Sequence, residues 1–281
     1  MKLATYKAND LAAPALGIIR HDWIIPTGFF GTMIDLISRW DEEKPSLTSL
    51  AKSDQGQPLN SVILMAPVLR PGKIFAIGLN YADHIAESKM DVPAHQVWFT
   101  KAQTSINGPY DNILIPKVSA FVDYEVELVA IIGTRAKNIS KEDAHRYIFG
   151  YCVGNDVTER FWQHRTPQWT LGKSFDTHAP IGPWITTSDE LADPHDLTIS
   201  CQVNDQLRQH SSTRQLVFNI FEQVEHLSQA MTLEPGDLIF TGTPGGVGAA
   251  MDPRQFLKPG DVVTCTIEKL GSIKNLLAAE V

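Results

Sequence analysis

Cysteine is scarce in this 281-residue chain, which carries only Cys152, Cys201 and Cys265. An odd number, widely spaced and without any Cys-x-x-Cys pair, excludes a disulfide framework and a cysteine zinc site and leaves reduced core residues. Positive charge is short as well: 24 Lys and Arg stand against 32 Asp and Glu, a formal net charge of −8. No basic stripe appears. Binding nucleic acid requires clustered cations to displace counterions, so no nucleic-acid partner is expected. Long apolar runs are missing too, with no span near the roughly 18 residues of a membrane helix, and residues 1–7 lack the apolar core of a signal peptide. A cytoplasmic protein without a membrane partner is the expectation. Internal repeats and low-complexity tracts are absent. With 43 % hydrophobic and 20 % charged residues, what remains has the make-up of a globular enzyme with a large core.

What the chain does contain is a succession of short strand patterns punctuated by Gly and Pro. Residues 16–20 and 23–26 read as strands, and residues 32–40 place Met33, Ile34, Ile37 and Trp40 at helical intervals. This differs in texture from the rest and suggests a small N-terminal domain over residues 1–70, with a larger domain over 71–281. In the larger part, residues 74–78, 97–101 and 197–203 read as strands. Residues 140–149 fit a short helix capped by Ser140 and stopped by Gly150, with His145 structural. Residues 215–231 give the longest amphipathic helix, its stripe of Leu216, Ile220, Val224 and Leu227 serving packing. Many strands and few helices without βαβ alternation predict a β-rich α+β fold.

The chemistry concentrates between Asp123 and Gln163. In the strand-like run 124–132, side chains alternate between faces, so Glu125 and Glu127 share one face while Val126, Leu128 and Ala130 share the other. Their apolar flanks suggest a sheet covered on both sides. Two carboxylates side by side in a dry setting either retain a proton or recruit a cation. Asp156, at the polar end of a second apolar run, is the natural third donor. Three oxygen ligands without cysteine or paired histidine describe a site for a hard cation, Mg²⁺ or Mn²⁺. The competing reading is the solvated face of an edge strand.

Other residues carry double readings. His84 and Glu87 share a face if their segment is helical, where the carboxylate would raise the imidazole's basicity; an ordinary surface helix would look the same. Lys101 either lowers the charge of nearby acids or ends a strand in solvent. A helix beginning at Asp156 sets Arg160 and Gln163 one and two turns on, with Arg160 a counter-charge for the cluster or for an acidic substrate, or else a surface ion pair. Lys173, in an apolar neighbourhood, pairs with Asp176 or meets a substrate oxygen. The run Thr241-Gly242-Thr243-Pro244-Gly245-Gly246-Val247-Gly248 lacks the Gly-Lys-Ser/Thr ending of a phosphate loop, but its amides and the Thr243 hydroxyl can cradle a carboxylate.

Glu125-x-Glu127, Gly150-Tyr151, Asn155-Asp156-Val157-Thr158-Glu159-Arg160 with Gln163, the run from Trp169 to Asp176, and the Thr241–Gly248 turn occur in the order of the fumarylacetoacetate hydrolase family. The resemblance extends from about residue 71 to the C-terminus. It implies a rolled β-sandwich, a homodimer, and a Mg²⁺ or Mn²⁺ ion held by Glu125, Glu127 and Asp156. It also implies a water-activating His84–Glu87 dyad on a mobile lid and a catalytic Lys173. Substrate would be bound by Arg160, Gln163, Thr243, Gly242 and Lys101. The activity so implied is hydrolysis of a carbon–carbon bond in a 2,4-dioxo acid of the acylpyruvate, fumarylpyruvate or maleylpyruvate type, giving pyruvate and a carboxylic acid, as in breakdown of aromatic ring-cleavage products. Oxaloacetate decarboxylation and isomerisation of 2-hydroxyhepta-2,4-diene-1,7-dioate use the same cation and enolate. A β-rich binding or scaffold protein is the non-enzymatic alternative. Phe161 departs from the family pattern, which commonly has an acid after the arginine.

Overall fold

A computed structural model describes residues 1–8, 13–53, 55–88, 91–119, 121–191 and 193–281. Its central strand, Val126–Ile132, is buried over all seven residues. Aliphatic and β-branched side chains suit a pleated surface covered on both faces, and alternation sorts them. Val126, Leu128, Ala130 and Ile132 enter one core, whereas Val129 and Ile131 enter another. The sheet therefore separates two hydrophobic cores.

Ile148–Asn155 and Leu238–Phe240 flank this strand, both antiparallel to it. Pairing continues through Ala179–Thr187 to Lys2–Ala8 on one side and through Ile74–Gly78 to Val97–Thr100 on the other, within a 12-stranded sheet. A five-stranded sheet containing Thr198–Val203, Val262–Ile267 and Gly271–Ala279 contributes Ile199, Val263, Ile267 and Ile273 to the first core. The fold is α+β and dominated by strands, as its residue pattern predicts. Residues 1–70 join the large sheet edge to edge, Lys2 opposite Thr186 and Leu3 opposite Ile185, and their helical residues Met33, Leu36 and Ile37 share the second core with Val129 and Ile131.

Three helix expectations change. Residues 140–149 yield only the 3₁₀ turn Ala144–Tyr147, without a side-chain cap, because Ile148 and Phe149 are drawn into the Ile148–Asn155 strand and Gly150 continues it. The long helix spans Ile220–Ala230, starting where Asn219 and Glu222 form a capping box; Leu216 lies outside it, bridged to Tyr81. The first helix stops at Ser38, and a second, Trp40–Leu50, follows with Pro45 inside it. That second helix has little apolar periodicity, so residue spacing gives no sign of it. The cysteines are free and buried, Cys201 facing Cys265 across two strands at 3.9 Å between sulfurs. Among the described residues no helix is long and apolar enough to cross a membrane.

Candidate active site and metal centre

Strand register assembles the acids. Val126 is opposite Asn155 and Glu127 opposite Gly154, which carries Asp156 past the end of one strand and Glu125 just before the start of the other. Backbone bonds lock this junction, Asp156 N–H donating to Glu125 O at 2.8 Å and Glu125 N–H to Asn155 Oδ1 at 2.9 Å. One carboxylate oxygen from each of Glu125, Glu127 and Asp156 falls within 4.8 Å of the others, and all three residues are buried. The edge-strand alternative is thereby excluded.

Buried carboxylates need compensation, and three cations supply part of it. Lys173 Nζ donates to Glu125 Oε2 at 2.6 Å and Asp156 Oδ2 at 2.7 Å, resting over the Phe99 ring. It does so instead of pairing with Asp176, because the short helix Thr170–Lys173 packs on the Arg160–His164 helix and aims its last residue inward. A Cβ on Gly172 would lie 2.3 Å from Gln163 N, so glycine there permits the approach. Lys101 Nζ donates to Asp156 Oδ1 at 2.6 Å and also to Lys173 O; it balances the acids and is no solvated strand end. Burial lowers both lysines' affinity for a proton. Asp156 and Glu125 more than restore it for Lys173, whereas Lys101 stays below the ordinary value.

Arg160 Nη1 meets Glu125 Oε1 at 2.7 Å and its Nε meets Asp123 Oδ2 at 2.9 Å. No helix begins at Asp156. Thr158–Glu159 is a strand pairing with Val122–Asp123, and the helix is Arg160–His164, so Arg160 and Gln163 lie in one turn with Arg160 Nη1 donating to Gln163 Oε1 at 3.0 Å. That bond leaves the Gln163 amide nitrogen as the donor available to a ligand. Phe161 is 54 % exposed and packs near Phe121; it does not line the cavity, so the cluster is unaffected by the missing acid.

The glycine-rich turn spends its amides on the protein's own carboxylates, which corrects the substrate-cradle expectation. Gly242 N–H donates to Glu127 Oε2 at 2.8 Å, Gly246 N–H to Glu87 Oε2 at 2.9 Å, and Gly248 N–H to Asp123 Oδ1 at 2.8 Å. The Thr243 hydroxyl donates to Val126 O at 2.9 Å and accepts from Gln209 Nε2 at 2.8 Å, so contact with a substrate carboxylate would cost it the bond to Val126. Only glycine fits at position 246, where φ is +99° and a Cβ would meet Arg208 O at 2.0 Å. This turn holds the helix Ala82–Ser88 over the cavity. On that helix His84 Nδ1 lies 3.6 Å from Glu87 Oε2, an electrostatic contact too long for a hydrogen bond. The imidazole and the Gly246 amide hold the Glu87 carboxyl below its usual value against partial burial.

A cavity of about 620 Å³ is lined by both sets of groups: His84 and Glu87 from the Ala82–Ser88 helix, and Glu125, Glu127, Arg160 and Lys173 from the floor. The residue pattern gives no role to Asp123, whose signal is its place two residues before Glu125, nor to the cavity residues Phe99, His164 and Arg254, which carry no spacing signal; Trp169, also in the lining, stands out only as the start of a family-ordered run.

The donor set fits a hard divalent cation. Burial pushes the Glu125 carboxyl up, but Lys173 and Arg160 outweigh that and hold it at about 2. Glu127 differs. Burial and then the Asp156 and Glu125 charges raise it well above the ordinary range, and among the described residues its one hydrogen-bond donor is the Gly242 amide. Four carboxylates, counting Asp123, face three cations, and the acid left without a cation contact is the one a metal would neutralise. Lys173→Met should therefore destabilise the metal-free protein by roughly 3–5 kcal/mol, since it takes one of two cation contacts from each of two buried carboxylates and leaves Glu125 with Arg160 alone and Asp156 with Lys101 alone. Denaturant titration checks this, and added Mn²⁺ should recover part of the loss.

Residues 73–278 match the family model described as fumarylacetoacetate (FAA) hydrolase C-terminal. Oxaloacetate tautomerase FAHD2B, mitochondrial, of Bos taurus is 42 % identical over 292 aligned positions, covering 98 % of this chain and 91 % of the relative. Among solved structures, maleylpyruvate hydrolase from Sphingobium sp. SYK-6, in complex with manganese(II) ion and pyruvate, superposes with a TM-score of 0.86 at 31 % identity, each chain covered in full. Fumarylacetoacetate hydrolase from psychrophilic Exiguobacterium antarcticum gives 0.87 at 35 %, again over both whole chains.

Proposed function

The chain belongs to the fumarylacetoacetate hydrolase family, and on that premise we propose that it moves a proton between carbon and oxygen of a small 2-oxo acid, as an enol–keto tautomerase of the oxaloacetate class. The observation that carries this reading is that one titratable pair, His84 with Glu87, faces Glu125 and Glu127 across a single cavity, with Asp156 completing the buried carboxylate cluster behind them. Likeness to the bovine oxaloacetate tautomerase over nearly the whole chain favours this substrate class.

Glu125, Glu127 and Asp156 would hold the divalent cation, which supplies Lewis acidity at the C2 oxygen. Lys173 and Arg160 would hold the adjacent 1-carboxylate, and the Gln163 amide would donate to the C2 oxygen as negative charge grows there. His84 would deliver its proton to C3 while the enol O–H proton passes to water, and the imidazole would regain a proton from water, so the substrate's composition is unchanged; in reverse the imidazole takes the C3 proton and water reprotonates the C2 oxygen. Glu87 would stabilise the imidazolium between these events. The lid helix, Phe99 and Trp169 would keep bulk water from the enolate.

A second reading is hydrolysis of a 2,4-dioxo acid, with His84 taking its proton from water instead. The His84–Glu87 pair and the likeness to maleylpyruvate hydrolase favour it. One experiment separates the two. Protein stripped by a chelator is given enol-oxaloacetate or an acylpyruvate, before and after Mg²⁺ or Mn²⁺ is restored. Metal-dependent enol decay without acylpyruvate cleavage is the expected result. Release of pyruvate and a carboxylic acid, with enol decay at background, would install the hydrolase, and indifference to metal would overturn both.

A further inference from the structure

The cavity has basic side chains that the acid cluster does not use. His164, at the end of the Arg160–His164 helix, and Arg254, beyond the glycine-rich turn, both line it and both are exposed, which puts them at its mouth. Among the described residues no carboxylate pairs with the Arg254 guanidinium. Partial burial, then the charges of Arg160, Arg254 and Lys173, hold the His164 imidazole below its usual range, with Glu125 opposing. Positive charge thus gathers around His164 with little to answer it.

Charge at the floor of the cavity points the same way. Asp123, Glu125, Glu127 and Asp156 against Lys101, Lys173 and Arg160 leave one negative charge. A divalent cation would turn that into one positive charge, enough for a single carboxylate. A second carboxylate on the same molecule needs another cation, and Arg254 is the unpaired one along the cavity wall; a guanidinium's forked donors match a carboxylate in geometry as well as charge.

We propose that Arg254, assisted by His164, receives the far carboxylate of a 2-oxo dicarboxylic acid and so selects doubly charged substrates over monocarboxylates. The proposal rests on the reading of this cavity as a 2-oxo acid site. Its test is calorimetric titration of the Mg²⁺-loaded full chain and of R254Q with oxaloacetate and with pyruvate, which share the 2-oxo carboxylate end. R254Q should weaken oxaloacetate binding roughly 10- to 100-fold, the range of a charge-assisted hydrogen bond, and shift pyruvate binding less than about twofold; R254K should recover part of the loss. Equal weakening of both ligands, or none for oxaloacetate, would overturn the role of Arg254 while leaving the 2-oxo acid site standing. If the unaltered protein bound neither ligand, the site reading itself would fail and take this proposal with it.

Discussion

Glu127→Gln should yield a protein that melts at a higher temperature than the unaltered one in the absence of metal, and that no longer responds to Mg²⁺ or Mn²⁺. Glu127 is 1 % exposed, sits beside the Asp156 and Glu125 charges, and has no side-chain cation within bonding distance among the described residues. Glutamine keeps its shape and an oxygen for the Gly242 amide while removing the repulsion. The same change removes a ligand, so turnover should fall by roughly 10³-fold or more, the several kcal/mol a Lewis acid contributes.

The pH dependence has a definite sign. Glu127 titrates higher folded than unfolded, so its contribution to stability is full below its ordinary value of 4.5 and is lost as pH rises through the folded value. Glu125, held at about 2, does the reverse: its contribution is present above 4.5 and is lost as pH falls toward 2. A metal competes with protonation of Glu127, whose carboxyl is raised by burial and the Asp156 and Glu125 charges, so apparent Mn²⁺ affinity should climb with pH in the unaltered protein until that group is ionised. Melting curves across pH, with and without Mn²⁺, read both effects. A lowered metal-free melting temperature in the variant, or a retained Mn²⁺ shift, would remove Glu127 from the site.

His84→Gln should lower kcat by about 10²- to 10⁴-fold, the usual worth of a positioned acid–base group, and leave KM nearly unchanged. The lid should keep its place, because Asp83 and Glu87 are bound to the Gly245 and Gly246 amides at 3.3 and 2.9 Å independently of the imidazole. Glu87→Gln should cost less, since it removes a partner of the imidazolium and not the proton carrier, although it also weakens the Gly246 anchor. Steady-state rates with metal present decide the matter. A His84→Gln protein that kept its full rate would show that the proton travels by another route.

How much of this was legible beforehand depends on the range of the forces involved. Alternation along residues 124–132 is a local property, and it predicted a strand buried on both faces with two glutamates side by side. Residue types then identified Asp156 as a third oxygen donor and pointed to a hard cation. The family resemblance pointed to His84, Glu87 and Lys173. The 3₁₀ turn at Ala144–Tyr147, in contrast, came from competition: the sheet claimed Ile148 and Phe149, and no helix signal in residues 140–149 could register that.

The amino-acid sequence by itself determined which groups were available: strand-forming runs, three acids in an apolar setting, and a turn so rich in glycine that its amides lie open. Tertiary structure decided who pairs with whom. Lys173 turned from Asp176 to Glu125 and Asp156, Lys101 reached Asp156, and the turn's amides went to Glu127, Glu87 and Asp123 instead of to a ligand. The reason is that pairing in a dry interior depends on distances of a few ångströms between residues tens of positions apart, and those distances are set by strand register and helix packing. Arg254 shows the same dependence, since nothing in its own neighbourhood along the chain distinguishes it until the fold brings it to the cavity.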